Sequence, residues 1–412
     1  MGGPVPNPVN AEVIRAVMEI GFYGFREIEN CKLKYAVICA SHRGSWILAK
    51  HRERSTWETP GGHREPGEDI TEAAKRELYE ESGATAYELE PVCAYSVTDS
   101  GTTDYGALFY ADVRELGPLP ESEMGCIKLF KQLPCGLTYP DIFPKLFLRV
   151  TDHLKVKYIK LLSSAPVRNV NIIQFLKSYP VYSFDRVGKS VLIRGTSDED
   201  WVYISSGSEE EFGRLTEGLD EEDKCFAVLE DWMLPEVIRG REVRSRMTSM
   251  KLVYGRPGSE RTGREEKNVQ TEDVKPATEG FPAMKPGEPE VTDLTIPDAP
   301  VIYNNSDYKE YISIDYIEER ILNGVGAGIR KDGRLVAWAL THDDGAIGFM
   351  HVLGEYRRRG YALRITEAMV SRLVAVGEVP FVHIKESNTA SMELAVRAGF
   401  RKDRRIHWIK LA

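Results

Sequence analysis

What the chain lacks narrows it first. Its six cysteines, Cys31, Cys39, Cys93, Cys126, Cys135 and Cys225, are scattered and form no Cys-x-x-Cys pair. That spacing excludes the common zinc motifs and a disulfide framework, and implies buried thiols in a reducing compartment. No apolar run approaches the roughly 18 residues of a membrane span. No basic flank precedes an apolar core near the N-terminus, so no secretory signal is read. A cytoplasmic protein without membrane contact is expected. Positive charge is also in deficit: 54 Lys plus Arg face 63 Asp plus Glu, a net charge of −9. A stable nucleic-acid surface is therefore not expected, since phosphate-tracking surfaces are basic. Nucleotides stay open, because a bound divalent cation supplies positive charge locally. At 412 residues the chain is too long for one ordinary domain, and two or three are expected.

What is present begins with Gly61 to Ala84, GGHREPGEDITEAAKRELYEESGA. A Pro66-Gly67 turn precedes Asp69 and Thr71, either of which can cap a helix, and Glu72 to Glu81 are mostly good helix formers. Glu77, Glu80 and Glu81 stand at i, i+3 and i+4, so three carboxylates share one helix face. Two like charges about 5 Å apart repel by roughly 3 kcal/mol at an effective dielectric near 20. Such a cluster suits a hard divalent cation, Mg²⁺ or Mn²⁺. Arg76 beside it can orient one carboxylate by a charge-assisted hydrogen bond. Gly83 ends the helix.

The frame Gly62, five residues, Glu68, seven residues, Arg76-Glu77-Leu78-Tyr79-Glu80-Glu81-Ser82-Gly83-Ala84 resembles the signature of the Nudix hydrolases. The resemblance extends over residues 30 to 150. Lys34 to Ala40 and Ser45 to Lys50 read as a hairpin, Trp57-Glu-Thr-Pro-Gly61 leads into the loop, and Tyr105 to Asp112 is a later strand. Residues 122–130 and 137–141 are similar to the tail of small bacterial Nudix proteins of the 8-oxo-dGTP diphosphatase type. The resemblance implies an α/β/α sandwich and metal ligation by Glu77, Glu80, Glu81 and the Gly62 carbonyl. It implies catalytic roles for Arg76, Glu77 and Glu80, and Glu123 resembles an extra acidic position that some members use. The base is one of the box glutamates or Glu123. His51-Arg-Glu-Arg54 is either a solvated hairpin edge or a phosphate contact, and Trp57 reads as core or pocket wall.

A second unit starts near Lys155. Val170 to Leu176 has helical spacing, residues 189–194, 201–205, 225–229 and 249–254 read as strands, and Glu209 to Leu219 as an amphipathic helix. This alternation implies a small α/β unit without a glycine loop. Arg239 to Arg246 is basic and reads as a solvated face. Gly255 to Pro297 is rich in Pro, Gly, Glu and Lys and reads as a flexible tether. The expected domains are 1–155, 156–254 and 298–412, with the linker 255–297 between the last two.

The last segment carries the second chemical signal. Strands at residues 326–330, 335–340 and 347–353 are joined by Asp332-Gly333 and Asp344-Gly345 turns. Glu355-Tyr-Arg-Arg-Arg-Gly-Tyr-Ala362 then opens a long helix. Gly360 permits close backbone approach, and the free N–H groups of the helix N-terminus favour a pyrophosphate. In this context Arg357 to Ala362 resembles motif A of the GNAT acyltransferases. Asn388 and the Ala398-Gly-Phe400 stretch resemble motif B.

That resemblance implies acetyl-CoA binding by Arg357, Arg358, Arg359, Gly360, Tyr361, Ala362 and Asn388. The pantetheine arm is then received near Val352 and Leu353, where the fourth strand splays from the fifth. The branch most resembled is that of the glycine N-acyltransferases, in which an upstream half often lacks the cofactor loop, as residues 158–254 do. Two departures stand out. The position of the usual tyrosine acid is Ala395, and that of the usual glutamate base is Ala346. His351 and His383 are the histidines on the relevant strands.

The expectation is an α/β (α+β) protein in which a Nudix sandwich precedes a tandem GNAT-like module with mixed sheets. It joins a nucleotide pyrophosphohydrolase to an acyltransferase acting on an unidentified amine. A nucleotide sensor controlling the acyltransferase is the rival of another class, and RNA 5′-end pyrophosphohydrolysis is a second rival, disfavoured by the acidic balance.

Overall fold

The computed structural model describes residues 18–255, 290–306, 309 and 312–412. The expected N-terminal loose end, most of the short helix read at 11–18 and most of the tether lie outside these. Two compact units divide at His153/Leu154. The fold is mixed α/β, as read from the sequence. Among the described residues no helix is long and apolar enough to cross a membrane.

In the first unit, near-continuous apolar runs form β2 (Leu33–His42) and β3 (Ser45–His51), which turn through Arg43 and Gly44, both at positive φ. The remaining strands are β1 (Glu19–Tyr23), β4 (Gly61–His63), β5 (Ala84–Asp99), β6 (Thr102–Leu116) and β7 (Met124–Phe130). They order as β1-β5-β6-β2-β3-β7, with β4 paired to β2. β2 and β6 run parallel in the middle, so each face of these strands needs a cover. One cover is α1 (Ile70–Ser82), whose Ile70, Ala73, Ala74 and Leu78 pack on Ala36, Ile38, Ala40, Ile47 and Phe109. On the alternate face Trp46 meets Tyr110 and Phe147, the last from α2 (Phe143–Leu162).

The second unit is one sheet. Its strands are β8 (Val181–Val187), β9 (Ser190–Thr196), β10 (Asp200–Ser205), β11 (Cys225–Leu229), β12 (Val243–Tyr254), β13 (Val291–Thr292), β14 (Gly326–Lys331), β15 (Arg334–Thr341), β16 (Ile347–Val352), β17 (Phe381–Ile384) and β18 (Phe400–Leu411). The order β13-β14-β15-β16-β17-β12-β18-β11-β10-β9-β8 reads as two equivalent runs meeting in the middle. Each run is an antiparallel meander, β8-β9-β10 or β14-β15-β16. A helix follows it, α4 (Glu209–Thr216) or α8 (Tyr361–Ala375), and then a parallel strand, β11 or β17. The final strand of each run has changed places: β12 lies beside β17, and β18 beside β11.

Residues 156–254 and 298–412 therefore share one sheet. The end of the expected tether also belongs to it, since Val291 and Thr292 pair with β14. Its helices include α3 (Pro166–Ser178), α5 (Leu234–Val237), α6 (Ala299–Asn304), α7 (Ile314–Asn323) and α9 (Thr389–Arg397). The residues Val243–Arg246 of the basic run are exposed at the start of β12.

Candidate functional site

The first site is built on α1. Asp69 caps the helix by accepting from the Thr71 N–H, and Gly83 closes it in the left-handed conformation. Glu77 and Glu81 lie on the same buried stripe as Ile70, Ala74 and Leu78, while Glu80 stays half-exposed on the flank. The Gly-Gly loop runs against these acids. The Gly61 N–H donates to Glu81 Oε2 at 2.9 Å. A Cβ on Gly62 would lie 2.2 Å from Glu77 Oε1, and one on Gly61 would lie 2.6 Å from the Ala36 carbonyl. Only glycine allows the loop this close.

Arg76 does more than orient one carboxylate. Its Nε and Nη2 donate to the two oxygens of Glu68 at 3.0 and 3.1 Å, and Nη1 reaches Glu77 at 2.8 Å and Glu80 at 3.2 Å. The guanidinium holds Glu68 below its usual range. Burial pushes Glu77 up, and Arg76 only partly offsets it. Burial pushes Glu81 up to about 8, with Glu77, Glu58 and Glu123 adding repulsion and the Gly61 N–H opposing.

Among the described residues no three His, Cys, Asp or Glu side chains are arranged to hold a metal ion. Arg76 and the Gly61 N–H take the oxygens instead. The donor set still fits a hard cation, being all oxygen, partly buried and mutually repelling.

Glu123, before β7, is largely exposed, and its carboxylate lies 3.9 Å from His51 Nε2. Sequence reasoning missed Glu58, which is buried and paired with Arg54 at 3.1 Å. Its only signal was a charged residue inside the Trp57-to-Gly61 lead. Arg54 is thus committed to a carboxylate. Trp57 is half-buried, edge-on to Phe130 with Lys50 over its ring, which makes it a wall.

The second site lies at the end of β16. β16 and β17 pair in parallel at Ile347 opposite Val382 and then part, the expected splay. A bulge at Phe349, at positive φ, bends β16 there. The Leu353 N–H donates back to Val336 O on β15 at 3.0 Å. The Val352 carbonyl accepts from Arg357 Nε at 3.1 Å. Arg358 and Gly360 are both at positive φ, and Gly360 stands as the N-cap of α8 with no side-chain acceptor for the first turn. The N–H groups of Tyr361 and Ala362 begin that turn. Arg359 folds back over the Tyr356 ring and donates to Glu355 O. Asn388 caps α9 by accepting from the Ser391 N–H at 3.1 Å, a structural task. Ala346 and Ala395 are buried, and His351 stacks on Trp338.

The NUDIX domain family matches residues 33–131, and the FR47-like protein family matches residues 324–409. A Bacillus subtilis protein named "Putative 8-oxo-dGTP diphosphatase YtkD" is 34% identical over 83 residues, 20% of this chain and 52% of its own length. The 8-oxo-dGDP phosphatase NUDT18 of Mus musculus is 43% identical over 63 residues, 15% of this chain and 19% of its own. This chain therefore spans about half of the first relative and a fifth of the second. A GCN5-related N-acetyltransferase-like protein from Streptococcus suis aligns with a TM-score of 0.35 at 14% identity, covering 62% of this chain and 99% of its own. Residues 33–131 are a Nudix domain, and residues 324–409 are an FR47-like region.

Proposed function

We propose that this chain is a bifunctional enzyme. Its first unit hydrolyses the pyrophosphate bond of nucleoside di- or triphosphate derivatives such as 8-oxo-dGTP. Its second unit transfers an acyl group from acetyl-CoA to an amine. The observation that carries the first reading is the packing of the Gly61-Gly62 loop onto Glu77 and Glu81. Glu81 is buried beside Glu77 with no cation of its own, and Arg76 only partly offsets the burial of Glu77; acids held at that cost are of no use to a pure binding module.

Glu77, Glu80, Glu81 and the Gly62 carbonyl would hold Mg²⁺ or Mn²⁺, which when bound supplies charge neutralisation and an acidified water. The chain's own residues do the rest. Arg76 keeps Glu68 ionised and fixes Glu77 and Glu80 in one orientation. Glu123 is placed on an exposed rim within electrostatic reach of Glu81, where it can take a proton.

In the second unit the uncapped first turn of α8 offers N–H groups to a pyrophosphate, with Arg357 and Arg358 beside it. Release of Arg357 from Val352 O frees a backbone acceptor at the splay.

The test is turnover by the full chain. Release of phosphate and pyrophosphate with Mg²⁺ from 8-oxo-dGTP, set against the four ordinary deoxynucleoside triphosphates, reads the first unit. Thiol release from acetyl-CoA with a panel of amines reads the second. Binding of 8-oxo-dGTP with no hydrolysis in either metal would replace the hydrolase by a sensor.

A further inference from the structure

At the two positions where the family resemblance implies an acid and a base, Ala395 and Ala346, the chain has methyl groups, both buried. Titratable groups gather instead at the vertex of the splay. His383 follows Val382, the residue at which β17 last pairs with β16. Its Nε2 lies 3.0 Å from Asn171 Nδ2, and the same amide donates to Asp344 Oδ2 at 2.8 Å. A ring nitrogen that accepts from an amide is unprotonated, so the ring proton belongs on Nδ1, 3.7 Å from Asp344 Oδ2. Asn171 Oδ1 is buried with no hydrogen-bond partner among the described residues. An orphaned acceptor of this kind calls for a donor that arrives with a ligand.

The groups come from both runs of the sheet. Asp344 and His383 belong to the run that carries the cofactor loop. Asn171 stands on α3, and Lys251 stands on β12 directly opposite His383, both from the run without that loop. Lys251 is satisfied by the Val167 and Arg168 carbonyls and by Asp403 at 3.2 Å. The titratable groups facing the ring are Asp344 and His342 from the β15–β16 turn and Lys251 from β12, and the Trp408 ring of β18 packs edge-on against it. Burial outweighs Asp344 and pushes the imidazole down to about 4, so the ring is neutral at neutral pH.

We propose that His383 is the proton acceptor for the amine substrate, and that the run without a cofactor loop completes the centre by supplying Asn171. This rests on the acyltransferase reading above. The substrate ammonium replaces the Asn171 amide as donor to His383 Nε2, and Asn171 Oδ1 accepts a second ammonium N–H. One proton passes to His383. The freed lone pair forms the C–N bond at the acyl carbon, the C–S bond breaks, and the thiolate leaves with its electron pair. The thiolate takes the one excess proton of the new nitrogen centre, which keeps its other hydrogen as the amide N–H, and His383 returns its proton to solvent. Amide, free thiol and one proton result.

The experiment uses the full chain, with His383→Gln, Asn171→Ala and, as a control, His351→Gln. Calorimetry with acetyl-CoA comes first, then thiol release with glycine, ethanolamine, spermidine and benzylamine from pH 4 to 9.5. His383→Gln keeps acetyl-CoA affinity within about threefold, loses about 100-fold in kcat at pH 7, and recovers as pH nears the amine's own pKa. Asn171→Ala loses about tenfold in kcat and shifts the acid limb of the profile, while His351→Gln changes neither.

Histidine ring NMR on the wild type serves if no panel amine is used. Acetyl-CoA then moves the His383 signals, assigned by their absence in His383→Gln. Acetyl-CoA binding with unmoved His383 signals, or an unchanged profile in His383→Gln, overturns the proposal and leaves the acyltransferase reading standing. Absence of any acetyl-CoA binding overturns both.

Discussion

Glu77 and Glu81 occupy positions on α1 that an amphipathic pattern would give to leucine, one turn apart on the stripe that packs the core. Glu81→Gln replaces a carboxyl whose charged form burial disfavours and keeps the acceptor for the Gly61 N–H, so the fold should hold or gain stability. Pyrophosphohydrolase turnover should fall by at least about 100-fold, because a ligand for the cation is lost. Glu80→Gln should cost a similar factor. Steady-state rates with Mg²⁺ beside thermal melts check both, and near-wild-type turnover would sink the metal assignment. These acids were legible because their spacing is a helix property, whereas Glu58 and Asn171 were not. A buried Glu or Asn is spelled like an exposed one, and only the partner brought in by the fold reveals it.

His383 gives a pH prediction. Its folded value, about 4, lies below the ordinary 6.5, so the stability it contributes is fully present above pH 6.5. That stability is lost as pH falls from 6.5 towards 4, by about 3 kcal/mol at most. Thermal melts at pH 7 and 4.5 should show a smaller acid loss in His383→Gln than in the wild type.

At the scale of elements, caps and turns were readable and partners were not. Asp332 and Gly333 both take positive φ, as an Asp-Gly hairpin requires, and Asp69, one of the two residues read as a cap, caps α1. No protein atom lies within 4 Å of the Gly360 Cβ position, so that space is open to a ligand. Its φ of +81° is a second reason for glycine there. Gly360→Val should therefore unsettle the start of α8 as well as abolish acetyl-CoA binding, and calorimetry beside a melt separates the two.

The exchange of β12 and β18 was invisible, since strand pattern fixes which face is buried and says nothing of which distant strand lies alongside. It has a consequence for dissection. β18 lies between β12 and β11, so residues 290–412 alone leave it with both edges bare. That fragment should be insoluble or unable to bind acetyl-CoA, and co-expression with 154–255 should restore binding. A soluble fragment that binds with full affinity would mean the strands re-pair within one half.

For the whole chain, two units with separate cores imply two cooperative transitions, each answering to its own ligand. A ligand that binds only the folded form stabilises it by about 2.7 kcal/mol at 100 times its dissociation constant. For a unit of 150 to 250 residues that corresponds to roughly 5 to 10 °C. Calorimetric scans of the full chain should show Mg²⁺ with a non-hydrolysable nucleoside triphosphate raising one transition, and acetyl-CoA raising the other. Glu81→Gln should abolish the first shift and leave the second, while Gly360→Val should do the reverse. One ligand moving both transitions in the wild type, and neither in its matching variant, would show that the units are energetically coupled. The sensor reading, in which nucleotide binding governs acyl transfer, requires that result; independent shifts favour two catalysts on one chain.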